Sequence, residues 1–111
     1  MNPIKIYLSG KVSDVEYISC YFKFDSMERK VVDKQYQAIN PMKLCHPTWS
    51  WTRTMAKCMF HLVFKADVLL LLSDWEQSKE AKLEYKIAKK CNKLIIEEEN
   101  FLNMRDVGIY D

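Results

Sequence analysis

Glu84 occupies a place where a sheet-covering helix would ordinarily carry an apolar side chain. Ala81, Ile87, Ala88 and Cys91 recur around it at helical spacing, so one carboxylate interrupts an otherwise apolar stripe. The helix follows an uninterrupted apolar run that stops abruptly in Ser73-Asp74-Trp75-Glu76-Gln77-Ser78, and Ser78 fits the N-cap. A carboxylate aimed at a strand end from the first turns of a helix either acts on a ligand or compensates the helix dipole. Spacing alone leaves both open.

Other polar residues gather at what should be strand ends. Tyr7 precedes Ser9-Gly10 at the close of a first β-rich segment, where glycine lets backbone approach a ligand closely. Asn40-Pro41 ends a second segment, since proline removes a donor and restricts its predecessor. In open α/β sheets ligands bind in the crevice beyond the strands' carboxyl ends, which makes these groups candidates together with Ser73 and Asp74. Each has an alternative role. Asp74 could be solvated or an N-cap, Trp75 could stack on a base or pack over the sheet edge, and Lys11 could touch a phosphate or lie in solvent. Asp67 starts its strand, at the far end, and suits a turn or capping role.

The elements that must position these groups follow from periodicity. Residues 68–72 are too short to span a membrane and lack the alternation of a half-wet strand, so they read as a parallel strand buried on both faces. Strands are predicted also at 4–8, 36–39 and 94–96. Between them, Ser13 with Glu16 fits a capping box for a first helix bearing Tyr17, Cys20, Tyr21, Phe24, Met27 and Val31. A loop runs through His46-Pro47. Thr48 or Ser50 then caps a second helix with Trp51, Met55, Cys58, Met59, Leu62 and Ala66 on its apolar face. The Glu84 helix stops at Asn92. Alternating strands and helices predict an α/β, flavodoxin-like or Rossmann-like three-layer fold with a four- to five-stranded parallel sheet and right-handed crossovers. The segment 100–111, with Phe101, Met104 and Tyr110, is too apolar for a solvated end and is expected to pack on this or a second subunit.

Composition narrows the function classes. The 111 residues, 49% hydrophobic, suffice for one core and one domain spanning 1–111. A formal charge of +2, from 17 basic and 15 acidic residues scattered along the chain, provides no stripe for a nucleic-acid polymer. With only Gly10 and Gly108, both the GxGxxG loop and the P-loop are missing, which argues against a nicotinamide or nucleoside-triphosphate enzyme. Met1-Asn2-Pro3-Ile4-Lys5 has neither signal-peptide nor anchor character, so a cytoplasmic protein without a membrane partner is expected. Cys20, Cys45, Cys58 and Cys91 match no zinc spacing and no dense disulfide framework, so free thiols, no metal and no cofactor are expected. His46 and His61 lack an identifiable partner.

Three pieces in order, Lys5-Ile6-Tyr7-Leu8-Ser9-Gly10, Ile39-Asn40-Pro41, and Ala66-Asp67 with Leu70-Leu71, Trp75, Ser78, Ala81, Leu83 and Glu84, carry a resemblance. Across roughly residues 4 to 97 the chain resembles a small uncharacterised (DUF4406-like) family of bacteria and phages related to nucleoside 2-deoxyribosyltransferases. That resemblance implies a flavodoxin-like fold and cleavage or exchange of the N-glycosidic bond of a nucleoside or nucleotide. It implies Glu84 as the nucleophile, Tyr7 as the tyrosine contacting it, and a sugar and phosphate site formed by Ser9, Gly10, Asn40 and Ser78. Asp74 and Trp75 join as candidate substrate contacts. It also implies a homo-oligomer whose neighbouring subunit completes the pocket, with Tyr110 the candidate side chain. A catalytically impaired binder of nucleotides or nucleotide-derived signals is the alternative. The chain departs from the family pattern at Glu80, where a glycine is usual, at Cys58 and Met59, where an acidic residue is usual, and at Lys11, where a proline is common.

Overall fold

Four short apolar segments lie side by side, all parallel, and the helices that connect them cover both faces of the resulting sheet. The computed structural model describes residues 3–13 and 15–104. The strands are β1 (Lys5–Ser9), β2 (Gln37–Ile39), β3 (Val68–Leu71) and β4 (Leu94–Glu97), in the order β2-β1-β3-β4. The register sets Ile6 against both Ala38 and Val68, Ser9 against Leu71, and Leu71 against Glu97. Because the chain moves first to one side of β1 and then to the other, the strand order reverses between β1 and β3. A crevice opens beyond their carboxyl ends. This is the flavodoxin-like or Rossmann-like three-layer α/β fold, with four strands among the described residues.

Alternation along the strands divides the core in two. Ile6, Leu8, Val68, Leu70 and Leu72 pack with Cys20, Phe24, Met27 and Val31 of α1 (Tyr17–Asp33) and with Phe101 of α5 (Glu98–Leu102). Tyr7, Leu69 and Leu71 face the other layer, with Cys58 and Leu62 of α3 (Trp51–Phe64) and Ala88 of α4 (Lys79–Lys90). Each fully buried Leu, Ile or Phe contributes about 1.5–3 kcal/mol, and that burial fixes the strand register that aligns the polar ends.

Local chemistry sets the element ends. Ser50 Oγ accepts from Arg53 N at 3.1 Å and starts α3, and Ser78 Oγ accepts from Ala81 N at 3.0 Å and starts α4. Asn92, at φ 58°, takes the left-handed conformation that ends α4, as the sequence predicts. The Ser13–Glu16 capping box does not form. Helix α1 begins at Tyr17 with no side-chain cap, and Ser13 Oγ instead donates to Glu80 Oε1 at 2.7 Å, a charge-assisted bond stronger than the one a backbone N–H offers. The predicted loop after Asn40 contains a short helix, α2 (Pro41–Leu44), because Asn40 Oδ1 accepts from Met42 N and Pro41 sits at its first turn. The chain end through residue 104 folds onto its own core: Phe101 is fully buried, 6.3 Å from the Tyr36 ring.

Gly10 closes β1 in tight quarters. A Cβ there would lie 2.9 Å from Leu72 Cβ and 3.0 Å from Asp74 Oδ1. Gly10→Ala is therefore expected to lower the unfolding free energy by about 1–3 kcal/mol, read as a shift in urea midpoint at unchanged slope. An unchanged midpoint would show that this approach is not tight.

Candidate functional site

The period of two along β1 sends Tyr7 and Ser9 to the same side of the sheet, toward α3 and α4. Opposite them, α4 buries Ala81, Glu84 and Ala88 on one stripe, and the two alanines let the helix settle close to the strand ends. The Glu84 carboxylate is thereby gripped by both hydroxyls. Tyr7 Oη donates to Oε2 at 2.5 Å and Ser9 Oγ donates to Oε1 at 2.7 Å, in the range of charge-assisted O–H···O bonds. Tyr7 is fully buried and Ser9 nearly so, while Glu84 keeps 5% of its surface, facing an open cavity of about 340 Å³. Dipole compensation alone would not require this aim or this pair of donors.

Three elements build the rest of the cavity. The β1–α1 loop and the start of α1 give Gly10, Ser13 and Tyr17, and the α2–α3 region gives Cys45, His46, Trp49, Trp51 and Cys58. From α4 comes Glu80, one turn before Glu84. The aromatic walls suit a flat ligand, and among the described residues Glu84 and Glu80 are the carboxylates that line it.

Burial pushes the Glu84 carboxyl up to about 7. The Tyr7 and Ser9 hydroxyls oppose that rise, and the Glu80 charge adds to it. Burial likewise raises the Tyr7 phenol well above its ordinary range, with the Glu84 charge next, so the phenol stays protonated and remains a donor. Cys45 and Cys58 lie with their sulfurs 3.8 Å apart in the cavity wall. Burial raises both thiols, Cys58 to about 12, so neither supplies a thiolate near neutral pH.

The other sequence candidates have different surroundings. Asn40 caps α2 and donates Nδ2 to Glu28 Oε1 at 2.9 Å, outside the cavity lining. Ser78 is consumed as the α4 N-cap, and Trp75 packs on Tyr85 with ring centroids 5.1 Å apart, on the same sheet face as Tyr7 but beside Leu71 and Ile95, outside the cavity lining. Asp74 accepts from Lys11 N at 3.0 Å and from Lys23 Nζ at 2.5 Å, so it braces the β1–α1 loop. Burial favours its neutral form, but the Lys23 ammonium and the Lys11 N–H outweigh it and hold the carboxyl below the usual range. Asp67 pairs with the start of β1 through Lys5 N at 2.9 Å, at the opposite end of the sheet. Tyr110 lies outside the described residues. Cys58 is buried in the core, as its spacing predicts, and also borders the cavity, whereas Tyr17 and Trp51, read from the same periodicity, line it at 47% and 60% exposure. Their position at the first turn of α1 and α3, next to the strand ends, was the signal available. Among the described residues no three His, Cys, Asp or Glu side chains converge to hold a metal ion, and no helix is long and apolar enough to cross a membrane.

Residues 4–97 match the domain of unknown function DUF4406. The chain belongs to that family. No curated protein and no solved structure matches the DUF4406 chain at a significant level.

The folded carboxyl of Glu84 holds its proton to a higher pH than the unfolded one, so the native state binds more protons between pH 4.5 and about 7. Stability should therefore fall as pH rises through that window, by at most on the order of 3 kcal/mol from this group. Glu84→Gln removes the titration, and its unfolding free energy should be flatter over the same range in urea titrations at several pH values. Parallel wild-type and variant curves would assign the pH dependence elsewhere.

Proposed function

We propose that this DUF4406 protein cleaves or exchanges the N-glycosidic bond of a nucleoside or nucleotide, with Glu84 as nucleophile. The observation that carries the reading is a single carboxylate, gripped from behind by Tyr7 and Ser9 and open on its front to an aromatic-walled cavity. The resemblance to nucleoside 2-deoxyribosyltransferases supplies the reaction class.

In this mechanism a Glu84 oxygen attacks C1′ of the sugar as the C1′–N bond breaks, and the bonding pair leaves with the base, which takes a proton from solvent. The resulting glycosyl ester is then opened by water or by a second base at C1′, which returns the carboxylate. Positive charge developing on the sugar is stabilised by the nearby anion. Tyr7 and Ser9 act as positioning residues, since neither reaches the cavity surface. They hold the carboxylate's orientation and lower its proton affinity against the effect of burial. Tyr17, Trp49 and Trp51 bring aromatic rings to the cavity wall for the base.

A second reading, a binder of nucleotides or nucleotide-derived signals without turnover, is favoured by Glu80. It lines the cavity at the position where the family resemblance leads one to expect glycine, and its charge raises the Glu84 pKa. A panel of ribo- and deoxyribonucleosides and nucleotides separates the two, with free base read by chromatography and binding by thermal shift. On the first reading Glu84→Gln lowers base release by more than about a thousandfold while the fold persists. Equal release by wild type and variant would remove Glu84 from the reaction, and stabilisation without any free base would select the binder.

Tyr7→Phe gives an independent check. Loss of the phenol's bond raises the Glu84 pKa further, so the acid limb of the pH–rate profile should move to higher pH, beyond any fall in its plateau. A profile that drops without moving would reduce Tyr7 to packing.

A further inference from the structure

The cavity in front of Glu84 is poorly suited to an anion. Its lining carries Glu80 and Glu84 and, among the described residues, His46 but no lysine or arginine. Directly beside it runs a second, more open groove of about 730 Å³, lined by Lys11, Lys79, Lys82 and Lys86. The two hollows share Ser13, Trp51 and Glu80, and the 2.7 Å bond from Ser13 Oγ to Glu80 Oε1 spans the wall between them. Lys79, Lys82 and Lys86 fall on one face of α4, and Lys11 comes from the β1–α1 loop across the groove. Among the described residues none of the four forms an ion pair, and they bring four like charges to the groove against the Glu80 carboxylate at its edge. Such a field favours an anion.

We infer that the lysine groove holds the phosphate tail of the ligand, and that the ligand is a nucleotide carrying two or more phosphates. This rests on the nucleotide reading of the Glu84 cavity. Base and sugar fill the cavity, and the tail crosses the Ser13–Glu80 wall. Glu80 precedes Glu84 by four residues, a rise of about 6 Å, so a single phosphate on the sugar would reach only the Glu80 carboxylate, which repels it, and a second or third phosphate is needed to reach the ammonium groups beyond the wall. A nucleoside or a monophosphate leaves the ammonium groups unused. Lys11, which the sequence left between phosphate contact and solvent, joins the α4 lysines in this role.

The test measures dissociation constants by calorimetry for one base as its nucleoside, mono-, di- and triphosphate, and for a single-stranded oligonucleotide, with free base followed by chromatography in the same samples. Binding should tighten at least about tenfold from mono- to diphosphate at about 0.01 M ionic strength, and the step should shrink at about 1 M. The combined variant Lys79→Gln, Lys82→Gln, Lys86→Gln should lose the step and keep nucleoside affinity. Lys11→Gln, on a separate element, should weaken the diphosphate in the same direction. Inorganic tripolyphosphate should compete with the diphosphate in wild type and fail to do so in the triple variant. A flat phosphate series, a step that survives the triple variant, or an oligonucleotide that binds more tightly than the triphosphate would each overturn the inference, the last by making the groove a surface for nucleic-acid backbone. Base release from the nucleoside with a flat series overturns this inference and leaves the proposed reaction standing. A phosphate step without base release from any compound supports the groove and removes the reaction.

Discussion

The site depends on the balance between desolvating one carboxylate and donating two hydroxyl hydrogen bonds to it. Burial of Glu84 favours its neutral acid, whereas Tyr7 and Ser9 favour the anion, and the outcome near 7 leaves both forms populated around neutrality. Neither hydroxyl could be placed by a loop alone with comparable accuracy. They stand two residues apart on a central strand whose other face is locked into the α1 layer by Ile6 and Leu8, so the sheet's packing fixes the donors' positions.

The same requirement explains the small residues nearby. Ala81 and Ala88 flank Glu84 on α4, and larger side chains there would lift the helix off the strand ends and lengthen both hydrogen bonds. Gly10 lets the chain turn past Leu72 and Asp74, and Asp74 in turn ties Lys11 N and Lys23 to the loop that forms the cavity's rim. Asp74 thus shapes the entrance through backbone placement, which is a different contribution from touching a ligand.

Much of this architecture was legible from periodicity, because apolar burial is what periodicity reports. The continuous run at 68–72 and the stripe broken by Glu84 located β3, α4 and the buried acid, and the serine-glycine end of the first segment located its hydroxyl neighbour. Less legible were polar choices between competing partners. Ser13 had a local helix end within reach and bonded to Glu80, more than sixty residues away in sequence, and Asn40 turned to α2 and Glu28. Apolar residues at helix starts misled in the opposite direction. Tyr17 and Trp51 share the composition of the core stripe, but their first-turn positions lie beyond the strand ends, where they wall a cavity.

Helix α4 then carries two opposed electrostatic faces. Its buried stripe presents a single carboxylate to the cavity, its outer face presents Lys79, Lys82 and Lys86 to the groove, and Glu80 stands on the boundary. A nucleotide undergoing glycosidic cleavage has the matching polarity, with positive charge gathering at the sugar and fixed negative charge along its tail. Had the lysines lined the Glu84 cavity itself, they would have lowered the acid's pKa but also opposed the cationic sugar. In the proposed complex, the Ser13–Glu80 wall between the two hollows would keep the lysines' attraction on the tail, and low-dielectric packing around Glu84 would keep its field on the reacting carbon. The raised pKa of Glu84 is compatible with the proposed reaction, because a cation forming in front of the carboxyl would shift it toward the anion.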